Sequence, residues 1–254
     1  MYPEATRAAI RVEGEQYGQK VIMLQSIIKY EQDELQSCKS LLDQCHDDPD
    51  VLVNYAAISF KEGKYDKARQ QYLDVMNMVG YSPDLAYNIA LCYYREKNFI
   101  AALKYISEIV EKGVRNHPEL SVGSRTGIFR DLSLSPYSLT HSLYVIDGLD
   151  VRSVGNSVVL KETCLIEAFN LKAAIEYSMK TSEPAKVDND LSAAKEALTD
   201  MPPRLESELD PVTLHNQALC HADEDATGAF KKLSYLLANP PYPPEVRSTF
   251  VPSN

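Results

Sequence analysis

The chain has 254 residues, long enough to bury a substantial core, and its 44% hydrophobic and 24% charged composition is that of a globular protein. Twenty-six basic against 36 acidic residues leave a net charge of −10, and the longest basic cluster is Lys231-Lys232. Such a field repels phosphate backbones, and no segment joins a basic face to exposed bulky apolar residues, so neither nucleic acid nor an anionic membrane is an expected partner.

The five cysteines (Cys38, Cys45, Cys92, Cys164 and Cys220) are odd in number and irregularly spaced, unlike an extracellular disulfide framework. Met1 to Arg7 has neither the charged nor the apolar region of a secretory leader. The most apolar window, Val21 to Ile28 between Lys20 and Lys29, is too short to span a bilayer. These features lead us to expect a soluble protein of the reducing compartments with no membrane insertion. Sixteen tyrosines and no tryptophan suit many small helix–helix contacts, because the ring packs while its hydroxyl stays wet.

In chain order, Tyr2-Pro-Glu-Ala5 has the spacing of Tyr65 to Ala68, so the chain is expected to open on the second helix of a hairpin, with Ala5 as its small residue. A solenoid that starts in mid-hairpin leaves an apolar helix face uncovered, which leads to the expectation of a fragment. Ser26, Tyr30, Leu35, Cys38 and Leu42 then form a hairpin with a shortened link, 30 residues ahead of the next one. Residues 50–75 lie over residues 84–109 at an offset of 34 without a gap. Asn54 meets Asn88, Ala56 meets Ala90, Phe60 meets Tyr94, Tyr65 meets Phe99, and Ala68 meets Ala102. A small residue on each helix allows close approach, and a charged turn reverses the chain between them. Two antiparallel helices in 34 residues, with small residues at these places, match the tetratricopeptide repeat. Pro83 and Pro118 are expected at repeat ends, where a helix must stop.

Ser121 to Asp150, rich in Ser, Leu and Gly, shows no helical period and is expected to be an insertion or loop. Leu160 to Tyr177 is expected to be one amphipathic helix with Ala173-Ala174 as its small residues, and Leu191 to Leu198 its partner. Val212 to Cys220 and Gly228 to Leu237 form a last hairpin, with small residues Ala218 and Ala229. The expected fold is therefore an all-α tetratricopeptide-repeat solenoid, a right-handed superhelix of about four complete hairpins. Its parts are repeats over 1–120, the irregular stretch 121–150, further hairpins over 151–246 and a non-repeat tail over 247–254.

Asn54, Asn88 and Asn216 each stand two residues before the small residue of a first helix, at equivalent places for a concave wall. Asparagine offers both a donor and an acceptor to the main chain of an extended ligand. A clamp for acidic C-termini, as in chaperone adaptors, would add bases on neighbouring first helices, but Ala168 holds the expected place and only Lys172 is near. Cys45-His46-Asp47-Asp48 carries ligand-type residues that cannot converge on one metal without distant help. His215, Cys220 and His221 make no recognisable nucleophile–base pair, and there is no glycine-rich phosphate loop. No cofactor, metal or catalysis is expected, and Glu206 and Glu208 are read as a solvated face.

Several uninterrupted strings go further. His117-Pro-Glu-Leu120, Asp150 to Asn156, Glu167 to Tyr177, Glu196 to Arg204 and Glu208 to Leu219 together resemble the tetratricopeptide repeat protein 30 family, the large repeat subunit of intraflagellar transport complex B. The resemblance covers nearly all of residues 2–246; members are longer at both ends, Ser121–Asp150 and part of Lys180–Asp190 look like extra sequence, and the likeness ends after Pro244. It implies a non-catalytic scaffold in the cilium and cytoplasm, needed for anterograde transport and cilium assembly. The implied partners are other complex B core subunits, one of them supplying an extended proline-containing segment that the repeats enclose. It also implies links to kinesin-2 and to tubulin polyglutamylation.

Overall fold

The computed structural model describes residues 2–11, 17–46, 48–123, 153–181 and 190–240. It is all-α, with no strand among the described residues, and it divides into two compact units, Met1–Ala102 and Leu103–Asn254. The expected tail 247–254, most of the stretch 121–150 and the link 182–189 lie outside the described residues.

The first unit contains α1 (Tyr2–Ile10), α2 (Gly18–Glu31), α3 (Leu35–Leu42), α4 (Pro49–Lys61), α5 (Tyr65–Val79), α6 (Pro83–Arg95) and the start of α7 (Phe99–Asn116). Helices α2 and α3, then α4 and α5, form hairpins; α5 packs on α6, α3 on α4 and α1 on α2. Two hairpins enter in the same way. Asp48 and Ser82 hold extended N-cap backbone, and Pro49 and Pro83 occupy the first helical turn, where a missing N–H costs nothing. Asp48 also accepts from Asp50 N at 2.9 Å, which gives this member of the Cys45–Asp48 string a capping role. Pro83 therefore opens a helix, whereas the sequence reading had it closing one.

Each reversal is the same turn. Asp33, Gly63 and Lys97 all sit in the left-handed region, with φ of 62°, 78° and 60°. Around Gly63, Glu62 N donates to Ile58 O, Gly63 N to Phe60 O and Lys64 N to Ser59 O; the turns at Asp33 and Lys97 repeat this set. These bonds satisfy the helix's orphan carbonyls and aim the chain back. Phe60 then meets Tyr65 edge-on at 5.2 Å between ring centres, and Tyr94 meets Phe99 at 5.9 Å.

The core stripe is built on small residues. Ser26 and Cys38, Ala56 and Ala68, and Ala90 and Ala102 are all buried, and both residues of the last two pairs are fully enclosed. In α1 the enclosed residue is Ala9, and Ala5 is exposed. The contact with α2 thus falls one helical turn beyond the expected place, on the same stripe.

Ion pairs follow the same spacing. Lys39, beside Cys38, pairs with Glu62 at the end of the next first helix; Arg69, beside Ala68, pairs with Glu96 at 2.6 Å. The hydrogen bonds of Lys39 and Lys64 hold the Glu62 carboxyl down to about 2. At Glu96, burial pushes the carboxyl up against the pull of Arg69. The two acids occupy one place in the repeat and are similarly exposed, but Glu62 is held by two lysines, whereas Glu96 shares Arg69 with Asp66.

The second unit holds the rest of α7, a short 3-10 turn at Pro118–Leu120, α8 (Val158–Glu162), α9 (Leu165–Thr181), α10 (Ser192–Asp200), α11 (Pro211–His221) and α12 (Ala226–Ala238). Helices α9 and α10 form one hairpin, α11 and α12 another, and α11 packs on both α9 and α10. Leu160, Leu165, Phe169, Ala173, Ala197 and Leu198 lead its core. The expected single helix over Leu160–Tyr177 is broken. Thr163 Oγ1 takes the Leu160 carbonyl at 2.8 Å, and Cys164 turns to φ 52°, so α8 stops and α9 starts anew. Nor is α9 amphipathic: seven residues between Leu165 and Ala173 are buried, because it lies between helices rather than at a surface. Its enclosed small residue is Ala173, with Ala174 only half-buried. Gly113 of α7 comes against Leu165 so closely that a Cβ there would stand 2.9 Å from Cδ2.

Two outcomes follow. Ala90 is wholly enclosed, so Ala90→Trp is expected to cost more than ~2 kcal/mol by overpacking; a urea unfolding midpoint that does not move would show that the helix contact lies elsewhere. Glu62 titrates lower in the folded chain than its ordinary 4.5, so its pairing stabilises fully above that value and fades as pH falls towards about 2. The melting-temperature gap between the native chain and Lys39→Met should therefore be largest near neutrality and shrink over that acid range, and a gap that is flat with pH would contradict the pairing.

Candidate functional site

Asn54, Asn88, Asn216 and Lys172, the candidate partner-binding residues, fall into different surroundings. Asn54 and Asn88 are half-buried on α4 and α6, the first helices of successive hairpins, and neither amide has a hydrogen-bond partner among the described residues. Asn216, on α11, is already engaged: its Nδ2 donates to Asn170 Oδ1 at 3.0 Å and to Asn170 O at 3.3 Å. Lys172 is half-buried on α9, two residues beyond Asn170, with no ion-pair partner among the described residues. The structure thus brings Asn216 to the helix that carries Lys172, through an asparagine that sequence reasoning passed over. A signal for it existed, since Ala168-Phe-Asn170 repeats the type order of Ala86-Tyr-Asn88.

Asn170 leads into a buried polar node. Its Nδ2 donates to Thr213 Oγ1 at 2.9 Å, and Thr213 Oγ1 donates to Asp210 Oδ2 at 2.6 Å. Asp210 is the N-cap of α11 and also accepts from Thr213 N at 2.9 Å. Arg204 closes the node, its side chain only 3% exposed. Nη2 lies 3.0 Å from Asp210 Oδ2 and 3.3 Å from Thr213 Oγ1, while Nη1 reaches Glu208 O at 3.4 Å. Burial pushes the Asp210 carboxyl up, but the Thr213 hydroxyl and N–H and the Arg204 guanidinium outweigh it and hold the group below the usual range.

The segment before α8 is tied to this node. Val154 N donates to Pro203 O at 2.9 Å, Asn156 Nδ2 to Glu208 O at 3.1 Å, and Ser153 Oγ to a Glu208 oxygen. Leu205 N donates to the same carboxylate at 2.8 Å, so Glu208 stays ionised, held low by Ser153 first and then by the Leu205 N–H. Glu208 is therefore a fastener between two stretches of chain, not part of a solvated face. Beside it, Met201 to Leu205 and Leu209 form one wall of a cavity of about 380 Å³, closed by Leu198, Thr213, Gln217 and Lys232. Its mixed lining offers room for part of a peptide, with hydrogen-bonding groups at one side.

The remaining chemistry-bearing residues are placed as follows. Burial pushes the Cys220 thiol up to about 11, so it is a protonated thiol near neutrality. His221 Nδ1 lies 3.0 Å from Gln217 O, the carbonyl one turn back on its own helix. None of the five cysteines is joined in a disulfide. Among the described residues no helix is long and apolar enough to cross a membrane, and no group of three metal-ligating side chains converges.

No protein-family profile matches the chain. Over 96% of its length the chain is similar to intraflagellar transport protein 70A of Xenopus tropicalis, 46% identical over 246 residues, and to intraflagellar transport protein 70A of Danio rerio, 47% identical over 244 residues. It is likewise similar to intraflagellar transport protein 70A1 of Mus musculus, 44% identical over 256 residues. The chain spans about a third of the length of each: 33% of the first two and 34% of the third.

Arg204→Met would leave the Asp210 carboxylate with Thr213 alone. Removing one partner of a buried pair costs on the order of 3 kcal/mol. We expect hydrogen exchange to speed up across α11 and the 201–210 segment in this variant, and unchanged exchange there would contradict the role given to Arg204.

Proposed function

We propose that this chain is a non-catalytic scaffold subunit of intraflagellar transport complex B, acting in anterograde transport and cilium assembly. The observation that carries the reading is similarity at 44–47% identity, over 96% of the chain, to proteins named intraflagellar transport protein 70. That similarity reaches a third of each relative, so the whole relatives' partners come to this chain as part of the proposal.

In this reading the repeats enclose an extended, proline-containing segment of a neighbouring complex B subunit. Asn54 and Asn88 meet its main chain through amides that have no internal partner among the described residues. In the second unit, taken by itself, Lys172 on α9 is a partner-facing donor, and Asn216 on α11 is held in place by Asn170. The proposal places the protein in the cilium and cytoplasm, with kinesin-2 transport and tubulin polyglutamylation as the processes it serves.

A rival of a different kind is an adaptor that captures acidic C-termini of chaperones by charge. The two differ in the source of binding energy. Enclosure buries apolar surface and makes many main-chain bonds, and so survives raised salt; a charge clamp weakens with it. The test is a pull-down from ciliated-cell extract with this chain and a full-length relative side by side, washed at high salt. Complex B subunits retained on both baits through that wash support the proposal. Chaperone C-termini that are lost on washing, with no complex B subunit on either bait, contradict it.

A further inference from the structure

Within the first unit, bases near the hairpin turns are met by the chain's own acids. Lys61, at the end of α4, lies 4.2 Å above the Tyr30 ring, donates to Tyr30 O at 2.5 Å and pairs with Asp33 Oδ1 at 2.7 Å. Arg95 is the same residue one repeat on, at the end of α6. Its guanidinium carbon lies 5.9 Å from the ring of Phe60, which takes the place of Tyr30, and 5.1 Å from the Tyr65 ring, while Nη2 donates to Tyr65 OH at 2.6 Å. The place of Asp33 is taken by Gly63. The backbone there is equivalent, with φ of 62° and 78° and the same three turn hydrogen bonds. A Cβ built on Gly63 would meet nothing within 4 Å.

Arg95 therefore has the aromatic floor of its counterpart and lacks the carboxylate. The acids around it are otherwise engaged: Glu62 by Lys39 and Lys64, Asp66 and Glu96 by Arg69. Arg95 itself is exposed, and no carboxylate among the described residues pairs with it. A guanidinium stacked on rings and fixed through one N–H is pre-organised, so little freedom remains to be lost when a carboxylate binds its other N–H groups.

We propose that Arg95, with the open slot over Gly63, is a docking point for the aspartate or glutamate side chain of an acidic segment on a partner protein, which occupies the place Asp33 fills one repeat earlier. The proposal stands on the repeat geometry and does not depend on which transport subunit the partner is.

The chain itself can be made to fill the slot, and that gives the test. The probe is a capped peptide of alternating aspartate and glycine, with an asparagine–glycine peptide and inorganic phosphate as comparisons, read by the NMR resonances of the Arg95 Nε–H and of the backbone amides of residues 63 and 95, the amides serving for the Arg95→Gln variant. The aspartate peptide is expected to shift it saturably and the asparagine peptide not to. Gly63→Asp should compete internally and weaken the response at least about fivefold, as should Arg95→Gln. Gly63→Asn, which imposes the same backbone demand without charge, should keep the response close to that of the native chain. Undiminished binding in Arg95→Gln or Gly63→Asp, or equal loss in Gly63→Asn, would overturn the docking point. An equal response to phosphate or to the asparagine peptide would overturn its assignment to a carboxylate.

Discussion

Two helices can meet at backbone distance only where each offers a side chain little larger than a methyl group. In this chain that condition recurs with one spacing. Ser26 with Cys38, Ala56 with Ala68, and Ala90 with Ala102 put a buried small residue on each helix of a hairpin, twelve positions apart. The spacing dictates the turn between them. Three residues must end one helix, reverse and begin the next, and the left-handed residue at Asp33, Gly63 or Lys97 lets them do so. With helix approach and turn fixed, the aromatic pairs Phe60–Tyr65 and Tyr94–Phe99 close the hairpin end. The base beside the second small residue then reaches the acid at the next turn, as in Lys39–Glu62 and Arg69–Glu96. Outside the first unit, Lys195 beside the buried Ala194 pairs with Glu224 at 2.6 Å in the same relation.

The second unit adds a constraint of another kind. Between α10 and α11 the chain leaves the helix at Met201, makes a short 3-10 turn at Glu206–Glu208 and reaches Asp210, and such a stretch at a buried edge must find partners for its main-chain groups. Asn156 and Arg204 donate to Glu208 O, the Glu208 carboxylate takes Leu205 N and Val154 N donates to Pro203 O, while Asp210 and Thr213 join the node through their side chains. This polar node ties the residues before α8 to the entry of α11, and Asn170 extends it to Asn216. Its order is what gives the neighbouring cavity a defined wall.

Much of this was legible from residues alone where the repeat imposes a period. The hairpin α11–α12 lies within two residues of its expected bounds, and the buried alanines Ala56, Ala68, Ala90, Ala102, Ala218 and Ala229 all fall at expected small positions. The misses have physical reasons. Ala9 is enclosed where Ala5 was expected, and of the expected pair Ala173-Ala174 only Ala173 is enclosed, because at a weak repeat a pattern fixes the stripe and not the turn. The break at Thr163-Cys164 comes from a hydroxyl capturing a helix carbonyl, which leaves no trace in hydrophobic period. The node around Arg204 joins residues from Ser153 to Thr213, and non-periodic polar contacts over such separations cannot be seen by comparing repeats. The charged turn is legible in the sequence; that Gly63 within it leaves Arg95 without an acid emerges only when two turns are superposed.

The most direct measurement of the central constraint is a double-mutant cycle on Ala56 and Ala68, using Ala56→Val, Ala68→Val and the pair, each followed by urea unfolding. If the two residues form one close helix contact, either valine forces the helices apart and the second finds the space already opened. The combined loss should then fall short of the sum by ~0.5–3 kcal/mol, the range for residues in contact. Losses that add to within ~0.3–0.5 kcal/mol, as they do for independent sites, would contradict the account.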